Sequence, residues 1–266
     1  MEVQEVKCKS ILSDSNLYSV DYSINPYTGC QHSCRYCYAV YMKKFNDHEE
    51  NWGSFVDVKV NAVEVLEKEV RSKQPGSVLL SSVTDPYQPL EKKYKLTRRI
   101  LKILEENDFS VTILTKNSLV LRDLDVLKEF FPGKISVGFT VNFLDDKDRQ
   151  IWEPNASPLE ERLDALRELH EEGISTYVHV GPYLEGITNL EEIFQETRDS
   201  IYEFQIENLN TRRSGKIRKT VEENYPELKE KYSRILKNDR EYIEKLKGEV
   251  EKLRGRSEIP IRLFID

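Results

Sequence analysis

Short apolar runs alternate with longer amphipathic ones along most of this chain, and that alternation restricts the fold more than any other feature. Residues 77–84 (SVLLSSVT), 109–115 (FSVTILT), 135–141 (ISVGFTV) and 174–180 (ISTYVHV) are compact, β-branched runs of strand length. Between them apolar residues recur at helical spacing. Over 96–107, Leu96, Ile100, Leu101, Ile103 and Leu104 share one helical face. Residues 124–131 read as a helix closed by Pro132-Gly133, and 159–172 as a helix with Pro158 at its first turn and Gly173 just past its end. A helix near 190–200 and a strand over 202–209 continue the rhythm; a strand at 22–27 and a helix around 63–72 begin it. Repeated strand–helix units argue for a parallel sheet with helices outside it, in a barrel or a doubly wound sheet.

The cysteines add chemistry to that scaffold. Three of the four cysteines fall within the run 29–38, GCQHSCRYCY, as C-x₃-C-x₂-C with an aromatic residue before the third. The run follows the end of the first expected strand, where βα folds carry their chemistry. Soft thiolates select iron–sulfur, zinc or Cu(I), and three of them suit a [4Fe–4S] cluster whose fourth iron stays open. Four cysteines in 266 residues is too sparse for a disulfide scaffold. Structural zinc is the competing reading; it would need Cys8 or His32 as a fourth ligand. The position of Cys8, far away in sequence, gives no reason to make it a ligand, and His32 reads as loop structure.

Composition narrows the function classes. With 38% apolar and 33% charged residues the chain has enough apolar mass for one large core. Its net charge of −7 disfavours a non-specific nucleic-acid binder, which is more often basic. Nucleic acid remains a possible partner only through a local patch such as 212–219 (RRSGKIRK), and charge runs are more often solvated surface. Met1–Gln4 is polar and opens no apolar signal run, and no stretch approaches the length of a membrane span, so no membrane association is expected. Free clustered cysteines point to a reducing cytoplasm. Residues 221–254 are rich in Glu and Lys, with Ile235, Tyr242, Leu246 and Val250 on one plausible helical face, and 259–265 (IPIRLFI) reads as a short strand. The expected organisation is a domain over 1–212 with an N-terminal lead-in, then a C-terminal helical extension over 213–266 ending in a short strand.

The cysteine loop, with Tyr36 and Tyr38, is one of several signatures at successive strand ends. Thr84-Asp85-Pro86-Tyr87-Gln88-Pro89, Thr115-Lys116-Asn117, Phe139-Thr140-Val141-Asn142, Glu153-Pro154 with Arg162, and Gly181-Pro182 follow in order. Together they resemble the radical S-adenosylmethionine superfamily, and more closely its spore photoproduct lyase-like (DNA repair photolyase-like) branch. The resemblance implies an α/β fold, a partial (β/α)6 TIM-like barrel with the C-terminal helical extension. It implies a [4Fe–4S] cluster on Cys30, Cys34 and Cys37, with S-adenosylmethionine bound at the open iron. Reductive cleavage would then give a 5′-deoxyadenosyl radical that abstracts a substrate hydrogen, and an external flavodoxin- or ferredoxin-like reductant would supply the electron.

Tyr36, Thr84, Lys116, Thr140, Asn142 and Gly181 are the expected cofactor-binding residues. Tyr36 would pack near the adenine, Lys116 pair with the methionine carboxylate, Thr84, Thr140 and Asn142 bond methionyl or ribose groups, and Gly181 let the backbone approach adenine. Asp85, Glu153 and Arg162 would support them. His179, among apolar neighbours, reads as a hydrogen-bonded core histidine. The lyase pattern is not complete: Ser82 stands where that branch carries a hydrogen-donor cysteine, and a serine O–H is too strong to replace a thiol. Tyr38 is left as the expected catalytic, radical-transferring residue, and the substrate is open. DNA photoproduct repair is the alternative enzyme reading, and a zinc-bearing nucleic-acid or protein binding module the alternative of another class.

Overall fold

A computed structural model describes residues 1–17, 20–45 and 48–265. The alternation becomes a mixed α/β fold whose principal sheet has eight strands. After β1 (Glu2–Val6), strand β2 (Ser13–Asp14) pairs antiparallel with β3 (Tyr22–Ile24) at one edge. The expected first strand is shorter than its apolar run. It ends before Pro26, which has no N–H for a ladder, and the chain resumes as β4 (Tyr27–Thr28) in a second sheet. There β5 (Phe55–Lys59) lies between β1 and β4, parallel to the first and antiparallel to the second. This three-stranded sheet had no periodic signal in the sequence.

The βα units follow in order. Helix α1 (Ala62–Glu69) leads to β6 (Ser77–Leu80); α2 (Glu91–Tyr94) and α3 (Leu96–Glu106) lead to β7 (Ser110–Thr115). Helix α4 (Leu124–Leu127) precedes β8 (Ile135–Thr140), then α5 (Asp146–Trp152) and α6 (Leu159–Glu171) precede β9 (Ser175–Val180). Helix α7 (Leu190–Thr197) connects to β10 (Glu203–Glu207). Strands β3, β6, β7, β8, β9 and β10 are parallel neighbours in that order. They form the partial, TIM-like barrel expected from the sequence.

The remaining chain is helical, as α8 (Ser214–Asn224), α9 (Lys229–Ile235) and α10 (Arg240–Arg254). It returns as β11 (Ile261–Phe264), which pairs parallel with β10 and extends the sheet at its far edge. Of the basic stretch 212–219, the side chains at 213 and 214 lie outside the described residues.

Burial alternates along three of the strands, while β8 and β9 are buried on both faces over most of their length. On β6, β7 and β10 every second residue is buried and the residues between are half-exposed. Val78, Leu80, Val111, Ile113, Val137, Phe139, Val178, Phe204 and Ile206 face the helices. Helix α3 packs on β7 and buries Leu96, Ile100, Leu101 and Leu104, each worth about 1.5–3 kcal/mol when fully buried. The other face is more polar, with Thr112, Ser136, Thr140, His179, Glu203 and Gln205. That polar face lines the barrel lumen. Among the described residues no helix is long and apolar enough to cross a membrane.

Candidate active site

The cysteine loop springs from β4 and is held from three directions. Gly29 has φ of +87°, and a Cβ there would meet the Phe55 carbonyl oxygen at 2.4 Å, so the turn into Cys30 requires glycine. The Thr84 hydroxyl donates to the Gly29 carbonyl at 2.6 Å. Gln88 donates to Thr84 at 3.1 Å and accepts the Gln31 N–H at 3.0 Å, while the Gln31 side chain accepts the Leu90 N–H. Asn155 donates to the Gln31 carbonyl at 2.9 Å. The Arg35 N–H donates to the Trp152 carbonyl at 2.8 Å.

Cys30 and Cys34 are buried and Cys37 is half-buried. Burial pushes all three thiols up, Cys34 to about 12, and the thiols also raise one another: Cys30 feels Cys34 and Cys37, and Cys34 feels Cys37. Backbone N–H groups of His32 and Ala39 work the other way at Cys30 and Cys37, and the Lys116 cation does so at Cys34 and Cys37. These groups favour thiolates at a site otherwise too dry for them. N–H groups aimed at sulfur and a nearby cation are what cluster thiolates need, so the donor set fits an iron–sulfur group. Among the described residues no three His, Cys, Asp or Glu side chains are gathered around one point as a single metal ion would require. Cys8 lies elsewhere, its backbone clamped by Asn61 through bonds of 2.8 and 2.9 Å and its thiol near Lys59.

Beside the loop, five of the six expected cofactor residues meet in one network. Lys116 donates to the Thr140 hydroxyl at 3.1 Å, and its Nζ stands 5.7 Å over the Tyr36 ring. Burial opposes the Lys116 charge, but Cys34, Glu153 and Asp85 outweigh it and hold the ammonium above its ordinary range. Asn142 clamps Gly181 from both sides, accepting its N–H at 2.8 Å and donating to its carbonyl at 3.2 Å. The same amide donates to the Tyr36 hydroxyl at 3.1 Å, and that hydroxyl donates to Glu153. Glu153 pairs with Arg162 at 2.6 Å, and both are fully buried. Burial raises the Glu153 carboxyl, yet Arg162, Lys116 and the Tyr36 hydroxyl together bring it below its ordinary value. Arg162 also donates to the Thr140 carbonyl at 2.9 Å.

Thr84, the sixth, belongs instead to the clamp on the loop. Tyr36 is enclosed as well: its ring stacks on Trp152 at 6.3 Å, and Trp152 in turn stacks on Tyr225 at 6.2 Å. Tyr38 lies apart from the network, 45% exposed, with its hydroxyl donating to the Ser82 carbonyl. Ser82 Oγ accepts from Asn25 at 3.1 Å.

Asp85 joins the two halves. It accepts from the Tyr87 N–H, the Thr115 hydroxyl and the Lys116 N–H at 2.8, 2.8 and 2.9 Å, and faces His32 at 3.2 Å. Burial alone would raise its carboxyl, but His32 and these donors hold it at about 2. His32 is therefore a buried partner of Asp85 within the loop. Gln31 and Gln88 lie inside the quoted motifs but had no role assigned to them, and Asn155, Trp152 and Tyr225 carried no sequence signal. Lys216 of α8, read from the sequence only as part of the basic stretch 212–219, lies near Cys34, Cys37 and Arg35.

The family model described as the Radical SAM superfamily matches residues 24–197. An uncharacterized protein of Methanocaldococcus jannaschii is 37% identical over 228 residues, 85% of this chain and 85% of that protein. The spore photoproduct lyase of Bacillus subtilis is 24% identical over 237 residues, 83% of this chain and 65% of the lyase. Among solved structures, a spore photoproduct lyase variant with bound AdoMet and dinucleoside spore photoproduct superposes with a TM-score of 0.60 at 18% identity. That match covers 84% of this chain and 66% of the lyase chain.

Proposed function

This chain belongs to the radical SAM superfamily, and from that premise we propose that Cys30, Cys34 and Cys37 hold a [4Fe–4S] cluster beside a site for S-adenosylmethionine. It is a radical SAM enzyme with likeness to the spore photoproduct lyase branch. The observation that carries the cofactor reading is the placement of Lys116 between the thiols and the Tyr36–Thr140–Asn142–Gly181 network. When bound and reduced, the cluster would supply the electron that cleaves the S-adenosylmethionine sulfonium and yields the 5′-deoxyadenosyl radical.

The protein's own part is binding and orientation. An ammonium has three donors, of which Thr140 takes one; Lys116 presents the others to the methionine carboxylate. Thr140 and Asn142 present polar groups at the ends of the strands, and Asn142 fixes Gly181 where the adenine would lie. Glu153 and Arg162 hold Tyr36 and Thr140 in place. Thr84 acts through the loop, by fixing Gly29 ahead of Cys30. Tyr38, bonded at Ser82 where the lyase branch has its hydrogen donor, is the residue through which a radical would pass. The electron comes from an external one-electron reductant of flavodoxin or ferredoxin type.

Anaerobic reconstitution tests the reading. About four irons and four sulfides per chain are expected, with reduction by dithionite producing 5′-deoxyadenosine from S-adenosylmethionine. Cys34→Ala should lose both cluster and product. One zinc per chain, with no product, would overturn the enzyme reading in favour of a zinc-bearing binding module. Reversal of dimers in irradiated oligonucleotides would assign DNA photoproduct repair as the reaction.

A further inference from the structure

The lumen wall at β9 and β10 carries titratable groups that the cofactor reading does not use. Thr140, His179 and Gln205 stand opposite one another across β8, β9 and β10, and Arg262 follows on β11. Residues in register on parallel strands share a face, and Gly138, Tyr177 and Glu203 form the row below. Tyr177 closes the floor: a Cβ at Gly138 would meet its ring at 2.2 Å, and its hydroxyl donates to the Ile113 carbonyl at 2.9 Å. Above this floor a polar chain crosses three strands. Arg262 pairs with Glu203 at 3.1 Å; Gln205 Nε2 donates to Glu203 at 2.6 Å. His179 Nδ1 meets Gln205 Oε1 at 3.3 Å, and His179 Nε2 meets Glu207 Oε2 at 3.2 Å.

The donors and acceptors of this chain do not balance with a neutral histidine beside a carboxylate. Glu203, ionised beside Arg262, only accepts, which turns the Gln205 amide nitrogen toward it and the Gln205 oxygen toward His179. Nδ1 must then carry a hydrogen. In a neutral imidazole Nε2 would be left as a bare acceptor facing a carboxylate oxygen, and two acceptors cannot bond. One further proton, shared between Nε2 and Oε2, completes the chain. The pair is not sealed from solvent, since the Glu207 side chain is 29% exposed, and it lies on the same face as Thr140. It also abuts Gly181, where a Cβ would meet His179 Nε2 at 2.0 Å and Glu207 Oε2 at 3.0 Å. The charged groups facing it are Glu203 and Arg262; Tyr242 of α10 feels Glu207, and the Phe264 ring lies 6.4 Å from the imidazole.

We propose that His179 and Glu207 hold one shared proton on the lumen wall and offer it to the substrate, adding a general acid to the radical site. The proton passes from His179 Nε2 to a lone pair on the substrate. The N–H bond breaks, an O–H or N–H bond forms, and no electron changes hands. The imidazole is left in the Nδ1–H tautomer that Gln205 already accepts. The reacting part of the substrate therefore carries an acceptor heteroatom, a carbonyl oxygen or an imine-type nitrogen. The substrate role rests on the proposed function, because only a cofactor beside Gly181 brings the radical to this wall; the shared proton does not.

Two-bond ¹H–¹⁵N spectra of the protein labelled in its four histidines read the proton directly, with His179→Gln assigning the signal. In the parent, signals for a hydrogen on each His179 nitrogen are the expected result. In Glu207→Gln, whose amide can donate to Nε2, only the Nδ1 signal should remain. A neutral Nε2–H tautomer in the parent, or an unchanged signal in Glu207→Gln, overturns the proposal. Adding S-adenosylmethionine to the reconstituted protein should shift the His179 signals. Binding by calorimetry without that shift overturns the substrate role. No binding at all overturns the cofactor reading and the substrate role with it, while the shared proton stands on the first measurement.

Discussion

At the scale of single residues, the site is a set of charges that would be costly alone and are stable together. Lys116 is the clearest case, a half-buried cation kept charged by Cys34, Glu153 and Asp85. Removing it in Lys116→Ala should weaken S-adenosylmethionine binding by about tenfold or more, the worth of a charge-assisted hydrogen bond. Calorimetry on the reconstituted protein checks this, and unchanged affinity would refute the carboxylate role. Asp85 makes a prediction about pH. Its folded carboxyl titrates at about 2, below the ordinary carboxylate range. It therefore stabilises the fold above about pH 4, and that contribution is lost as pH falls toward 2. Its size is on the order of 2 kcal/mol. Denaturation of the parent and Asp85→Asn should differ at pH 7 and converge below pH 3; a gap that stays constant across that range would contradict it. Polar and glycine residues at strand ends, read with the family resemblance, pointed to Lys116, Thr140, Asn142 and Gly181. Their partners Glu153 and Arg162 were expected near them, but the clamp of Asn142 on Gly181 was not.

At the scale of elements, the loop after β4 is the piece on which the site depends. It is too short to have structure of its own, and it borrows support from β5, from residues 84–90 and from the segment after α5. Gly29→Ala forces a Cβ onto the Phe55 carbonyl in a left-handed backbone. We expect a loss of about 1–3 kcal/mol, read as a fall in melting temperature, and much reduced iron uptake on reconstitution. Full iron content in that variant would show that the loop reaches its geometry another way. Sequence pattern identified α3 and α6 from helical periodicity with one buried face, and β7, β8 and β9 as compact apolar runs of strand length. It did not find β5 or α5. Residues 55–59 (FVDVK) pair with β1 and β4, partners outside the βα rhythm, and 146–152 (DKDRQIW) is dominated by charge, with Trp152 as its one fully buried apolar anchor.

At the scale of the whole molecule, the C-terminal extension is knitted into the barrel. Strand β11 closes the β10 edge, α10 buries Tyr242, Leu246, Val250 and Leu253, and the Tyr242 hydroxyl joins the Leu209 N–H to the Tyr183 carbonyl. Ending the chain at 212 should expose the β10 edge and an apolar face together, giving an aggregation-prone product. Solubility and thermal melting of that truncation test it; a soluble, cooperatively melting fragment would mark 1–212 as an independent domain. Much of this architecture was legible beforehand, because hydrophobic period and motif spacing are local properties of a chain. They determined the βα order, the helical face of the extension and the grouping of three cysteines after a first strand. Only the tertiary structure decided which polar groups meet. Glu153 with Tyr36, Tyr225 with Trp152, and Glu207 with His179 lie 117, 73 and 28 residues apart. Such pairs are set by strand register and by how elements pack around a closed core, and no local pattern records either.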